Sequence, residues 1–183
     1  AVEARRRALK ERGAAVSIND FLIAACAKAL IKTPDVNVHF VDDAIHQFEH
    51  ADIAVAVAVD GGLVTPVVRF AEKKSLAEIA AEARDLAARA REGKLQQEEY
   101  RGGTFSLSNL GMYGVESFDA VLNLPMAAIL AAGAIIDAPA PVRGFSRVMT
   151  VTLTCDHRAI DGALGGRFLD ALRRTLEAPA SLN

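Results

Sequence analysis

Apolar positions fall into two periodicities along this chain, and the two interleave. Val2 to Arg12 is charge-rich and helix-compatible, ending at Gly13. Ser17-Ile18-Asn19-Asp20 has the form of a capping box. Ile18, Phe21, Leu22, Ala25, Cys26, Ala29 and Leu30 follow at the 3.6-residue period up to Thr33-Pro34, which predicts an amphipathic helix. Ser75-Leu76-Ala77-Glu78 opens another, with Leu76, Ile79, Ala80, Ala83, Leu86, Ala87 and Ala90 on its apolar side and Gly93 as its stop. Asp85 and Arg89 are placed for an i,i+4 pair on its wet side. Leu164, Phe168, Leu169, Leu172 and Leu176 predict a final helix over Gly162 to Glu177.

The runs between the helices read as strands. Val36 to Val41 and Ala44 to Phe48 predict a short pair turned at Asp42-Asp43. Asp52 to Val59 is apolar on both faces after its first residue, so it predicts one strand buried on both sides, central in the sheet. Asp60-Gly61-Gly62 turns the chain into Leu63 to Val68, where Pro66 marks an edge, a bulge or a strand end. Thr104 to Ser108 follows Gly102-Gly103. Ala127 to Ile136 and Val148 to Thr154 predict two more strands, separated by a Pro-rich loop over Ala138 to Phe145. Helices covering one face of a mixed sheet, an α/β two-layer sandwich, is the architecture this order favours.

At 183 residues the chain fits one domain with a sizeable core, and 51% hydrophobic against 24% charged residues sets it apart from disordered chains. A formal net charge of −2 argues against a nucleic-acid partner, though it leaves room for a local basic patch facing a phosphorylated cofactor. Cys26 and Cys155 form neither a metal spacing nor a disulfide framework, so a reducing compartment and no metal are expected. His39, His46 and His50 also lack metal-like spacing and are expected to be structural or surface residues. The longest uncharged run, Ala120 to Ile136, is shorter than the roughly 20 apolar residues of a membrane span and reads as core.

Candidate chemistry gathers at Thr154-Cys155-Asp156-His157-Arg158-Ala159-Ile160-Asp161-Gly162. A β-rich run delivers His157 at its end, where an imidazole can act as a base near neutrality. Four residues later Asp161 and Gly162 open the last helix. On these residues alone, Asp161 as an ordinary helix N-cap and His157 as an ordinary loop residue is an equally open reading.

The block resembles the H-x-x-x-D-G signature of the dihydrolipoyl acyltransferase components of 2-oxo acid dehydrogenase complexes, whose fold is shared with chloramphenicol acetyltransferase. Gly102 to Gly114 resembles the family's second motif. Ser17-Ile18-Asn19-Asp20-Phe21 and Gly62-Leu63-Val64-Thr65-Pro66 resemble two more, in the same order. The resemblance implies acyl transfer between thiols, with His157 as the base and Ser108 donating to the oxyanion. Spacing does not choose among Ser108, Ser106 and Thr104, which share a strand face; the match to the motif selects Ser108. It further implies direct transfer in a ternary complex rather than an acyl-serine, and a structural role for Asp161. That role is an ion pair with an arginine among Arg5 to Arg7, or in a preceding part of the polypeptide.

The form Ser108-Asn109-Leu110-Gly111-Met112-Tyr113-Gly114 resembles the pyruvate-complex members, which favours acetyl as the transferred group. The expected substrates are coenzyme A and a lipoyl arm on a separate domain, since none of the six lysines lies in the Asp-Lys-Ala turn that the family lipoylates. Residues 1–183 are then an N-terminally truncated acyltransferase catalytic domain without its lipoyl and subunit-binding domains. A homotrimer building a larger core, beside decarboxylase and dihydrolipoyl dehydrogenase components, is implied as well. So is a bacterial cytoplasmic or a mitochondrial matrix location, with no membrane. Two other classes stay open: a non-catalytic structural core, and an acyltransferase for another acyl group or a small free acceptor. Leu124-Pro125-Met126 departs from the family's more polar segment near the substrate channel.

Overall fold

The computed structural model describes residues 1–140 and 144–182. Four α-helices are present among them: α1 (Val2–Glu11), α2 (Ile18–Lys32), α3 (Leu76–Arg91) and α4 (Gly162–Glu177). The strands are β1 (Val38–Val41), β2 (Ala44–Gln47), β3 (Ile53–Val55), β4 (Val57–Val59), β5 (Gly62–Val64), β6 (Val67–Val68), β7 (Phe105–Asn109), β8 (Ala128–Ala140) and β9 (Gly144–Cys155). Five of these form the main sheet in the order β6-β3-β7-β8-β9, with β3, β7 and β8 parallel and the two flanking strands antiparallel. The sheet is therefore mixed, as the pattern predicts.

Alternation along the strands sorts residues between two faces. Ile53, Phe105, Leu107, Leu130 and Ala132 join the cluster that also holds Phe21 and Leu22 of α2, Ile79 of α3 and Phe168 of α4. Ala54 and Val67 point the other way and pack on Met126. Phe105 and Phe168 meet at a centroid distance of 5.2 Å and fix α4 to the middle strand. Full burial of such a side chain contributes about 1.5–3 kcal/mol.

Local chemistry sets the helix ends. Ser17 Oγ accepts from Asp20 N at 3.2 Å and Asp20 Oδ2 accepts from Ser17 N at 2.7 Å; Ser75 and Glu78 repeat this arrangement on α3. Arg89 does reach Asp85, and it also forms two bonds to Glu99, so α3 is tied to the segment that leads into β7. The α2 helix is buried more completely than an amphipathic stripe requires, because α3 and α4 pack beside it above the sheet.

Three expectations about strands change. Asp52 to Val59 is not one central strand. β3 lies second from the sheet edge, and β4 leaves the sheet to form a separate hairpin with β5. Nothing in an apolar run marks such a break, and burial on both sides ends with it: Ala58 is exposed and Val59 half-buried in the hairpin. Leu63 to Val68 breaks at Thr65-Pro66: Pro66 has no N–H to donate, and its carbonyl accepts from Val55 N at 2.8 Å. The strands on either side of the Pro-rich segment are longer than predicted, pairing out to Pro139↔Phe145 and Ala140↔Gly144; residues 141–143 of that expected loop lie outside the described residues.

The run from Ala120 to Ile136 is core only in its second half, Met126 to Ala132, whereas Val121 is 88% exposed. No helix is long and apolar enough to cross a membrane among the described residues.

Candidate active site

β9 ends at Cys155, and the chain turns over His157 to Ala159 before α4. Asp156 anchors the turn. Its N–H donates to Ala127 O at 2.8 Å and its carbonyl accepts from the N–H groups of Ala159 and Ile160 at 3.0 Å. Its carboxylate, almost wholly buried, accepts from Arg158 N at 3.1 Å, Arg158 Nε at 2.9 Å and Arg158 Nη2 at 2.6 Å. Hydrogen bonds from Arg158 hold that carboxyl below the usual carboxylate range. The Arg158 guanidinium lies 4.1 Å above the Phe40 ring on β1. His157 lies between Asp156 and Arg158 in sequence and is exposed.

Asp161 caps α4: its Oδ1 accepts from Leu164 N at 2.7 Å, and its backbone is extended as an N-cap requires. The expected ion pair to an arginine of the N-terminal segment is not found among the described residues, and Arg6 donates to Val16 O instead. The charge pair that fixes this loop is Asp156–Arg158. Sequence reasoning passed over it, although an aspartate two residues before an arginine at a strand end is the pattern of a side-chain-closed turn.

Ser108 sits near the end of β7. The three hydroxyls on its strand face, which spacing left equivalent, have different surroundings. Thr104 Oγ1 accepts from Asp52 N at 3.1 Å, and Ser106 Oγ is buried against Met126 Sδ at 3.0 Å. Ser108 Oγ makes no hydrogen bond among the described residues, and Ser108 is one of the residues around a cavity of about 220 Å³, with Asn19, Val57, Leu63, Leu86, Arg91 and Tyr113. Met126 thus fills space beneath Ser106, while Phe40 N bonds to Pro125 O, so the Leu124-Pro125-Met126 segment acts as packing for the sheet and the β1–β2 hairpin.

The turn after Ser108 is held closely. Asn109 Oδ1 accepts from Gly111 N at 2.9 Å, and Asn109 Nδ2 donates to Asn19 Oδ1 at the start of α2. A Cβ on Gly133 would overlap the Glu116 carbonyl oxygen, so the chain after the second motif can cross β8 only at a glycine. Gly103, ahead of β7, is less tightly constrained: a Cβ there would press on the Met126 methyl and on Ala54 Cβ. Arg69 spans Asp52 and the carbonyls of Glu98 and Arg101, fixing the approach to that strand.

His157 and Ser108 do not meet within one chain. Ser108 pairs with Ala131, which pairs with Thr152, whereas His157 lies beyond Cys155. The offset is roughly 10 Å along the strands and about 10 Å across them, more than an imidazole and a hydroxyl can span. The remaining polar candidates have other partners or surroundings. His39 Nε2 is 3.0 Å from Gly103 O and its pKa is lowered by burial, His50 pairs with Glu72, and His46 is exposed. Burial pushes the Cys155 thiol up to about 11, which suits packing rather than nucleophilic chemistry. No group of three His, Cys, Asp or Glu side chains that could hold a metal ion is found among the described residues.

Residues 1–183 match the family described as 2-oxoacid dehydrogenases acyltransferase (catalytic domain). The dihydrolipoyllysine-residue acetyltransferase component of pyruvate dehydrogenase complex from Rickettsia bellii is 44% identical over 174 residues, covering 93% of this chain and 41% of that protein. Its counterpart from Rhizobium meliloti is 50% identical over 171 residues, covering 91% and 38%. The chain therefore spans about two-fifths of the length of these relatives.

A crystal structure of Azotobacter vinelandii dihydrolipoamide acetyltransferase, from work on a serine, a histidine and an asparagine in its catalytic mechanism, is similar at TM-score 0.89 and 32% identity. It covers 99% of this chain and 76% of that one. The cubic core of a pyruvate dehydrogenase multienzyme complex gives TM-score 0.86 at 34% identity, covering 94% and 73%. Chloramphenicol acetyltransferase, at TM-score 0.62 and 19% identity over 93% of this chain and 82% of that one, shares the fold. The four motifs, the mixed sheet with its helical layer and the match over the whole chain place this protein in the 2-oxoacid dehydrogenase acyltransferase family.

Proposed function

We propose that this chain is the catalytic domain of a dihydrolipoyl acetyltransferase, passing an acetyl group between the dihydrolipoyl arm of a lipoyl domain and coenzyme A. The observation that carries the reading is Ser108, whose hydroxyl is without a protein partner among the described residues and which borders a cavity, in a chain whose relatives are named for this activity. A thiol of pKa about 8.5 is mostly protonated at pH 7. His157 takes the thiol proton, the sulfur bonds to the thioester carbonyl carbon, and the carbonyl electron pair moves onto oxygen. The Ser108 hydroxyl donates a hydrogen bond to that oxygen and keeps its proton. The carbonyl then re-forms, the other sulfur leaves, and the imidazolium returns the proton to it. Asp161 acts through α4 by capping it.

Because His157 and Ser108 of one chain are far apart, a working site takes His157 from one copy and Ser108 from another, in a trimer that builds a larger core. Lipoyl and subunit-binding domains lie elsewhere in the longer polypeptide. The decarboxylase and dihydrolipoyl dehydrogenase components are the partners, in the cytoplasm of a bacterium or the mitochondrial matrix of a eukaryote.

An acceptor assay with acetyl-CoA tests the reading. The assembled protein is expected to acetylate dihydrolipoamide saturably, while unrelated amines and alcohols stay unmodified. Comparable transfer to those acceptors would assign it to the small-acceptor class, and inertness toward dihydrolipoamide would leave a structural core.

A further inference from the structure

We infer that the Asp156–Arg158 ion pair is a positioning device for His157, closing the turn that presents the imidazole and balancing the charge on either side of it. The inference rests on the reading of His157 as the base. Its geometric footing is independent of that reading.

The two partners flank His157 in sequence and fold back on each other. Asp156 ties the turn to three places: β8 through Ala127 O, the approach to α4 through Ala159 N and Ile160 N, and Arg158 through both carboxylate oxygens. Arg158 carries the hold onward to the β1–β2 hairpin by lying on the Phe40 ring. The residue between them is then left with one direction, outward. A helix cap at Asp161 alone would fix the far end of this loop but not the near end.

Charged groups lie on the turn and on the elements bonded to it. On its own turn they are Asp156 and Arg158; on the hairpin, Asp43 attracts Arg158; at α4, Asp161 is committed to the Leu164 N–H, and the helix N-terminus adds partial positive charge. Just before β8 the turn is held by the neutral Ala127 carbonyl. Removing one partner of the pair therefore leaves the other as the largest unbalanced charge next to His157. A bare guanidinium disfavours the imidazolium, and a bare carboxylate favours it. A purely structural clamp would loosen the turn in both cases and move the titration in neither sense preferentially.

The assembled protein is compared with Asp156→Asn, Arg158→Gln and the double variant, using two readouts. One is the pH dependence of diethyl pyrocarbonate modification at His157, followed on its peptide by mass spectrometry, which requires no turnover. The other is the acid limb of acetyl transfer to dihydrolipoamide. For charges one residue away from an exposed imidazole, each shift is expected to be a few tenths of a pH unit to about one. Asp156→Asn is expected to move both midpoints down, Arg158→Gln to move both up, and the double variant to return near wild type while its kcat stays reduced.

Shifts in the same direction, or none, would overturn the inference. If Asp156→Asn fails to fold, Arg158→Gln, whose side chain is exposed, still has to show its upward shift. If the modification midpoints move oppositely while the wild-type protein transfers no acetyl group, the reading of His157 as base falls and the coupling of the pair to the imidazole stands.

Discussion

His157 and Ser108 meet opposite demands as single side chains, and their surroundings reflect it. The imidazole is exposed at a turn whose neighbours are fixed, while the hydroxyl is half-buried on a strand with no competing partner. A base is required only when the thiol is protonated, so His157→Ala is expected to lose about 10²–10⁴-fold in rate at neutral pH. Part of that loss should return as pH rises toward the thiol pKa of about 8.5. Ser108→Ala should lose roughly 10²–10³-fold in kcat with KM nearly unchanged and no alkaline recovery, because a missing hydrogen-bond donor is not replaced by hydroxide. The kcat pH profiles of the two variants check this division, and acetyl trapped on Ser108 of the wild type would contradict it.

Elements carry these residues to their places, and α4 shows how a motif residue can act at that level. Asp161 lies in the signature, yet its carboxylate satisfies a free N–H of the first helical turn. Asparagine caps a helix about as well as aspartate does, and alanine does not. Asp161→Asn is therefore expected to keep most of the activity and stability. Asp161→Ala should cost about 1 kcal/mol and lower the melting temperature by roughly 2–4 °C. Calorimetry beside the acetyl-transfer assay distinguishes the cap from proton chemistry: a folded Asp161→Asn protein with full stability and no activity would require Asp161 to take part in the reaction itself.

At the scale of the whole molecule, one chain brings the two ends of the proposed chemistry to different parts of the sheet. It also leaves large apolar side chains in solvent. Val121 is 88% and Met112 75% exposed, with Leu124 and Phe145 also on the surface. Where such side chains form a contiguous patch they mark interaction sites. Light scattering is expected to give a particle mass that is a multiple of three chains. Dissociation to monomers should abolish acetyl transfer even while circular dichroism reports an intact fold; a monomer with full activity would place both residues in one site after all.

The sequence by itself determined the helices almost to the residue, because capping boxes at Ser17 and Ser75, the Pro34 break and the 3.6-residue stripe are local signals. It also pointed to His157 and Ser108, although through motif likeness rather than spacing, since Thr104, Ser106 and Ser108 alternate identically. What separated those three was their neighbours: Asp52 and Met126 take two of them, and both are distant in the chain. Tertiary structure likewise split the Asp52 to Val59 run between two sheets, gave Asp161 the capping bond that was one of its two readings, and gave the loop-fixing bond to Asp156 and Arg158. The physical reason is common to all of these. Periodicity reports which faces are apolar, whereas the partner each polar atom finds depends on which segments the sheet brings side by side.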